Sequence, residues 1–98
     1  MAQFVIGRFG MTTHTLKTWP VFFEAILDGS KSFEIRSTDD RFFEIGDVLI
    51  LQEWIPETSF YTGRLIMKKV TFVMSGFGLK DEFVALGLHS FDGVDDIT

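Results

Sequence analysis

The residues best suited to chemistry lie in one charged segment of the chain, Gly29 to Asp47. Lysine offers phosphate a point charge, and arginine offers planar paired donors to phosphate or a base edge. Glutamate accepts a hydrogen bond from an amino group. This segment is therefore the best candidate site, and its candidate residues are Lys31, Glu34, Arg36, Asp40 and Arg41.

Apolar residues of the same segment are predicted to anchor these charges: Phe33, Ile35, Phe42, Phe43 and Ile45. Two aromatic residues further along the chain, Trp54 and Tyr61, are candidates for stacking a base. Packing at the core or rim is the competing interpretation of Trp54. Both residues are nevertheless included at the candidate site as additional contacts.

Each charged candidate also has a structural interpretation. Glu34 and Arg36 fit an ion pair on one strand face. Lys31 follows a helix-ending glycine, where a cation is favoured by the helix dipole. Asp40 and Arg41 fit a solvated loop pair. These structural roles remain open beside the ligand-binding ones.

Composition limits the class of protein. The chain has 98 residues, 46% of them hydrophobic and 12 of them Phe, enough for one domain with its own core. Cysteine is absent, which excludes disulfides and thiolate sites. His14 and His89 are too far apart for a metal-binding spacing, and His14 is expected to be a hydrogen-bonded structural residue. We predict no metal and no cofactor.

Charge and hydropathy exclude further classes. The net charge of −5 argues against non-specific binding to duplex DNA or to anionic membranes, which requires a basic surface. The Lys68-Lys69 pair fits a solvated strand edge that discourages aggregation. The first ten residues contain no apolar run long enough for a signal peptide or a membrane span. A cytoplasmic location without membrane contact is the resulting expectation.

The patterned part of the chain suggests three regions. Residues 1–13 are predicted to be a leader, poorly ordered, with Met11 as an alternative start. Residues 14–89 are predicted to be the domain, and residues 90–98 an acidic tail. No repeat or linker divides the domain, so we expect one folded unit.

One helix is predicted from Trp19 to Asp28. Pro20 lies in its first turn and Gly29 follows its end. One apolar stripe is formed at helical spacing by Trp19, Phe22, Phe23, Ile26 and Leu27.

Strands are predicted on both sides of this helix: His14–Lys17, Ser32–Arg36, Val48–Trp54, Arg64–Met74 and Phe83–Leu88. Alternation in the second strand places Glu34 and Arg36 on one face. The third strand, after a turn at Ile45-Gly46-Asp47, is apolar enough to be central.

The fourth strand carries one irregular feature. Ile66, Val70, Phe72 and Met74 are predicted to share a face that Lys68 interrupts, which suggests a bulge or bend at Lys68. Residues 55–63 are expected to connect the third and fourth strands, and Gly76-Phe77-Gly78 to form a turn. The fold class is therefore α+β: a small barrel of five mixed or mainly antiparallel strands, plugged by the helix.

The motifs in this order resemble the ASCH domain, a branch of the PUA-like fold. The resemblance covers about residues 14–88. Its first motif is carried by Gly29, Lys31, Glu34, Arg36, Gly46 and Asp47. Further segments are similar to small bacterial and phage ASCH-like domains: Glu53-Trp54, Tyr61-Thr62-Gly63-Arg64 and Gly76-Phe77-Gly78-Leu79.

The resemblance implies a pseudo-barrel with a cleft between the first helix and the strands. It also implies that this cleft binds RNA or a nucleotide-like small molecule. The binding residues would be Lys31, Glu34, Arg36, Arg41, Trp54 and Tyr61.

Two other functions stay open. Some bacterial ASCH proteins are amidohydrolases of acylated cytidine, with a Thr nucleophile on the strand after the helix. Here Glu34 stands at that position, which argues against the activity. A hydrolase of this kind would have to use Lys31 and Glu34 as its centre. The third interpretation is a phage or bacterial protein-interaction module that uses the aromatic-rich surface.

Overall fold

The computed structural model describes residues 12–90. It contains β1 (Thr13–Thr18), α1 (Pro20–Leu27), β2 (Phe33–Ser37), β3 (Val48–Ile55), β4 (Phe60–Met74) and β5 (Phe83–Ser90). This order confirms the predicted strand, helix and four further strands. Nearly all of the predicted leader and acidic tail lies outside the described residues.

The five strands form one mixed sheet in the order β1-β3-β4-β5-β2. β1 runs parallel to β3, whereas the other neighbouring pairs are antiparallel. β1 and β2 form the two edges and do not pair with each other within residues 12–90. The predicted α+β class is confirmed, and the sheet is a half-barrel that stays open between β1 and β2.

The helix begins and ends where the sequence predicts. Trp19 is its N-cap residue, Pro20 occupies the first turn, and Gly29 follows the end with a φ of +89°. Its buried side chains are Phe23 and Ile26. Only these two members of the predicted apolar stripe are buried. The exposed members of that stripe are Trp19, Phe22 and Leu27.

The core lies between the helix and the inner face of the sheet. Leu49 and Leu51 of β3 are fully buried, which confirms β3 as an interior strand. Each such side chain stabilises the fold by about 1.5–3 kcal/mol. The surrounding core residues are Leu16, Ile26, Phe43, Val70, Val84, Leu86 and Leu88.

The bulge in β4 lies further along the strand than predicted. Lys68 keeps its register with both neighbouring strands, and the irregularity falls between Val70 and Phe72. Gly87 lies opposite Phe72, and a Cβ at Gly87 would approach the Phe72 Cβ to 3.1 Å. One extra residue, Thr71, reverses the alternation there. Val70 is therefore buried and Phe72 exposed, and the predicted shared face is wrong.

The two connections around β4 differ in how well they were predicted. β4 begins at Phe60, so the connection after β3 is a short turn of residues 56–59. Gly63 lies within β4, not in the connection. The turn at Gly76-Phe77-Gly78 is confirmed, and all three residues have positive φ angles.

Candidate functional site

A cleft opens between the end of β1, the start of α1 and the free edge of β2. Its volume is about 410 Å³, within the ~300–1,000 Å³ range of small-molecule sites. The residues that line it are Lys17, Thr18, Trp19, Phe22, Lys31, Phe33, Glu34, Ile35 and Arg36. Three of the predicted site residues are therefore brought together: Lys31, Glu34 and Arg36.

Glu34 lies at the centre of the charged group. It is only 4% exposed, and both of its carboxylate oxygens accept hydrogen bonds from cations. Lys31 Nζ lies 2.7 Å from Oε2, and Arg36 Nε lies 2.8 Å from Oε1. A buried carboxylate is stable only when it is paired in this way, so the two cations hold Glu34 inside the fold.

The cations also fix the main chain around the cleft. Lys31 Nζ donates to the Phe33 carbonyl at 2.6 Å. Arg36 Nη2 donates to the Lys17 carbonyl at 2.9 Å and lies 3.4 Å from the Thr18 hydroxyl. Arg36 therefore bridges β2 to β1 at the place where the half-barrel is open.

The predicted anchoring by apolar residues is largely wrong. Phe33 and Ile35 are 45% and 47% exposed, and Phe42 and Ile45 are more exposed still. Only Phe43 is buried as predicted. The paired Glu34 occupies the buried face of β2, which turns the apolar residues of that strand outward.

Aromatic rings form the walls of the cleft. Trp19 and Phe22 stack with ring centroids 6.1 Å apart and an interplanar angle of 21°. Lys31 Nζ lies 4.7 Å from the Phe33 ring centroid and 5.5 Å from that of Phe22. All three aromatic residues are about half exposed, so their rings can contact a ligand.

The lining is cationic although the protein is acidic. Lys17, Lys31 and Arg36 contribute three positive charges and Glu34 one negative charge, a net of +2. The whole chain has a net charge of −5. The cleft therefore favours an anionic ligand.

The other predicted site residues lie outside the cleft lining. Arg41 Nη1 lies 3.5 Å from His14 Nδ1, and Arg41 Nε lies 3.6 Å from Asp40. Trp54 and Tyr61 are cross-strand partners. Trp54 adjoins the cleft-lining Lys17, whose Nζ lies 4.4 Å from the Trp54 ring centroid.

Sequence reasoning missed six lining residues. Phe33 and Ile35 were predicted as apolar anchors, and the other four were not predicted at the site: Lys17, Thr18, Trp19 and Phe22. Lys17 and Thr18 were missed because β1 approaches Arg36 only in the folded sheet. The signal for Trp19 and Phe22 was present in the sequence. A helix of about ten residues with five large apolar side chains carries more apolar residues than one buried face can hold, so some of them must be exposed.

A second polar cluster fixes the turn before β3. Asp47 is buried, and its carboxylate accepts hydrogen bonds from Thr12 N at 3.2 Å, Glu44 N at 2.9 Å and His14 Nε2 at 2.8 Å. The buried ring of His14 also lies 4.5 Å from that of Phe43. These contacts fit the structural role predicted for His14.

A third cluster attaches α1 to the sheet. Arg64 Nε donates to the buried Glu53 at 2.9 Å, Arg64 Nη2 donates to Glu24, and the guanidinium lies 4.8 Å from the Phe23 ring centroid. Thr62 Oγ1 donates to Glu53 at 2.7 Å. Hydrogen bonds from Arg64, and then from Thr62, lower the pKa of Glu53. The same ion pairs raise the pKa of Arg64.

Two structural observations concern metals and membranes. No group of three or more His, Asp or Glu side chains is arranged to hold a metal ion within residues 12–90. The helix in this part of the chain is too short to cross a bilayer, and no other candidate span occurs there.

Fold and cleft together define a small α+β domain with a charged, aromatic-walled site at the open edge of a half-barrel. The chain belongs to a family described as a domain of unknown function, DUF3850, whose model matches residues 13–88. It is 34% identical over 73 residues to an uncharacterized 12.9 kDa protein encoded in the GpA 3′ region of Escherichia phage P2. That match covers 74% of this chain and 64% of the phage protein, less than two thirds of the relative's length.

Proposed function

We propose that this domain binds RNA, a nucleotide or a modified nucleobase in the cleft around Lys31, Glu34 and Arg36. The proposal also assigns the domain to the ASCH branch of the PUA-like fold that its sequence resembles. The observation that carries the proposal is the combination of half-exposed aromatic walls with a lining charge of +2 in an acidic protein.

Each part of a nucleotide has a matching surface in this cleft. The rings of Trp19, Phe22 and Phe33 offer flat faces to a base, and such stacking contributes about 1–3 kcal/mol per base. Lys31 and Arg36 present cationic donors to a phosphate. Lys17 extends the positive lining towards Trp54, where the neighbouring nucleotide of a bound RNA chain would lie.

The geometry favours binding over hydrolysis. A general base needs a carboxylate oxygen directed at the substrate or its attacking water. Both oxygens of Glu34 are already engaged, one by Lys31 and one by Arg36. Glu34 thus acts as the anchor for two ligand-binding cations.

The proposal is tested by titrating the protein with uridine 5′-monophosphate and with a short single-stranded RNA. Lys31→Gln and Arg36→Ala should each weaken binding by roughly 10- to 100-fold, the effect of losing one charge-assisted hydrogen bond. Lys80→Ala is the matched control, because Lys80 is an exposed cation outside the cleft. Both cleft variants also remove a partner of the buried Glu34, so binding is compared at a temperature at which thermal unfolding shows each variant to be folded.

Two results would contradict the proposal. One is the absence of binding to either ligand, and the other is equal weakening by Lys80→Ala and the two cleft variants. Stable association with a protein partner that persists in both cleft variants would instead support an interaction module.

A further inference from the structure

The free edge of β2 faces the cleft, and the hydrogen bonds on its other side show which residues contribute to it. Leu88 N donates to Ser32 O at 3.0 Å, and Thr38 N donates to Glu82 O at 2.8 Å. In an antiparallel pair, residues alternate between those whose backbone groups bond to the neighbouring strand and those whose groups face away. Even-numbered residues of β2 therefore bond to β5.

The odd-numbered residues Phe33 and Ile35 consequently direct their N–H and C=O groups towards the cleft. Lys31 Nζ confirms this direction, because it donates to the Phe33 carbonyl at 2.6 Å. Within residues 12–90, the N–H and C=O of Ile35 have no hydrogen-bond partner. The cleft therefore contains one backbone donor and one backbone acceptor, side by side and available.

The opposite edge limits what can occupy this space. Val48 N donates to Thr12 O at 2.9 Å, so the backbone N–H and C=O groups of even-numbered β1 residues point towards β3. The backbone groups of Lys17 therefore point towards the opening. Arg36 Nη2 donates a hydrogen bond to the Lys17 carbonyl, and the Arg36 side chain thereby bridges the two edges. This bridge blocks the path of a continuous strand along the opening, so the space admits a compact group.

We propose that the main chain of Ile35 recognises the hydrogen-bonding edge of an unpaired nucleobase in the cleft. This inference rests on the proposed nucleotide-binding function and specifies its ligand: a nucleotide unit whose Watson–Crick edge is free, alone or in a single strand. Each base carries a donor beside an acceptor on that edge, which matches the C=O and N–H of one extended residue. A base in a duplex has already used these groups.

The ligand-side experiment compares three probes: uridine 5′-monophosphate, its N3-methyl derivative and ribose 5-phosphate. Methylation removes the base donor and leaves the phosphate, the sugar and the neutral ring. We expect the N3-methyl derivative to bind at least ~10-fold more weakly than uridine 5′-monophosphate, since a paired contact of this kind contributes about that much discrimination. Guanosine 5′-monophosphate and its N1-methyl derivative should show the same difference.

The protein-side experiment uses Ile35→Pro, which removes the N–H directed at the cleft. Proline is tolerated on an edge strand where that N–H has no partner in the sheet. Binding of uridine 5′-monophosphate should fall by about 10-fold, while ribose 5-phosphate binding stays unchanged. Ile35→Val keeps the N–H and should bind normally. Ser37→Pro is the proline control, because its N–H also faces the free edge but Ser37 does not line the cleft.

The outcomes separate this inference from the proposed function. Equal affinity for uridine 5′-monophosphate and its N3-methyl derivative overturns the backbone recognition and leaves nucleotide binding intact. Failure of all nucleotides and RNA to bind overturns both. Binding of an extended peptide along β2, without binding of any nucleotide, would assign this edge to strand addition and also overturns the inference. The methylation comparison decides the question even if Ile35→Pro does not fold.

Discussion

Replacement of Glu34 by Gln is the perturbation that most directly tests how the cleft is held together. The change preserves the size of the side chain and removes its charge. Glu34 accepts from Lys31 on one oxygen and from Arg36 on the other, and it is almost fully buried. Glutamine has one oxygen, so its amide nitrogen must face one of the two cationic donors.

The expected loss of stability follows from these contacts. A hydrogen bond to a charged group contributes about 1.5–3 kcal/mol, and breaking a buried ion pair costs about 3–5 kcal/mol. The side chains of Lys31 and Arg36 are 17% and 23% exposed, so water partly compensates each cation. We therefore expect Glu34→Gln to lower the free energy of unfolding by about 3 kcal/mol, which corresponds to a Tm lower by roughly 12–24 °C.

Urea unfolding followed by tryptophan fluorescence measures this difference, since Trp19 adjoins the cleft and Trp54 lies on β3. Glu57→Gln is the matched control, because Glu57 is an exposed residue in the turn between β3 and β4. The control should change the free energy of unfolding by less than about 0.5 kcal/mol. A Glu34→Gln loss as small as that of the control would refute the argument that this carboxylate organises the cleft.

Two further predictions concern the clusters outside the cleft. The pKa of Glu53 is lowered in the folded state. The ionised Glu53 therefore contributes fully to stability above its ordinary pKa of 4.5, and this stabilisation is lost as the pH falls through the lower folded value. Thermal unfolding between about pH 7 and pH 3 should thus show a smaller acid-induced loss for Glu53→Gln than for the wild type, and equal slopes would contradict this. Asp47→Ala should lower the free energy of unfolding by about 3 kcal/mol, because it leaves the buried His14 and two partly buried N–H groups without their acceptor. Asp39→Ala, at an exposed loop position, should change it little in the same urea experiment.

Local signals predicted the elements of this fold well. Pro20 and Gly29 mark the ends of the helix, and the apolar run after Asp47 marks the interior strand β3. The alternation in β2 correctly places Glu34 and Arg36 on the same face. These features depend on backbone preference and on the spacing of neighbouring residues, both of which are readable in the sequence.

The sequence was misleading where charge pairing determined burial. The usual rule, apolar residues inward, predicted Phe33 and Ile35 as anchors, but the buried face of β2 carries Glu34. Two cations, Lys31 and Arg36, make this burial possible. The contact of Arg36 with Lys17 depends on the curvature of the whole sheet, which no local pattern encodes.

Nucleotide binding in the cleft can be followed residue by residue through chemical-shift mapping. Isotope-labelled protein is titrated with uridine 5′-monophosphate, and the backbone amide signals are followed. We expect saturable shifts concentrated in residues 17–22 and 31–36, with the Ile35 amide among the most affected. The absence of saturable shifts, or shifts centred on the turn between β4 and β5, would contradict nucleotide binding in the cleft.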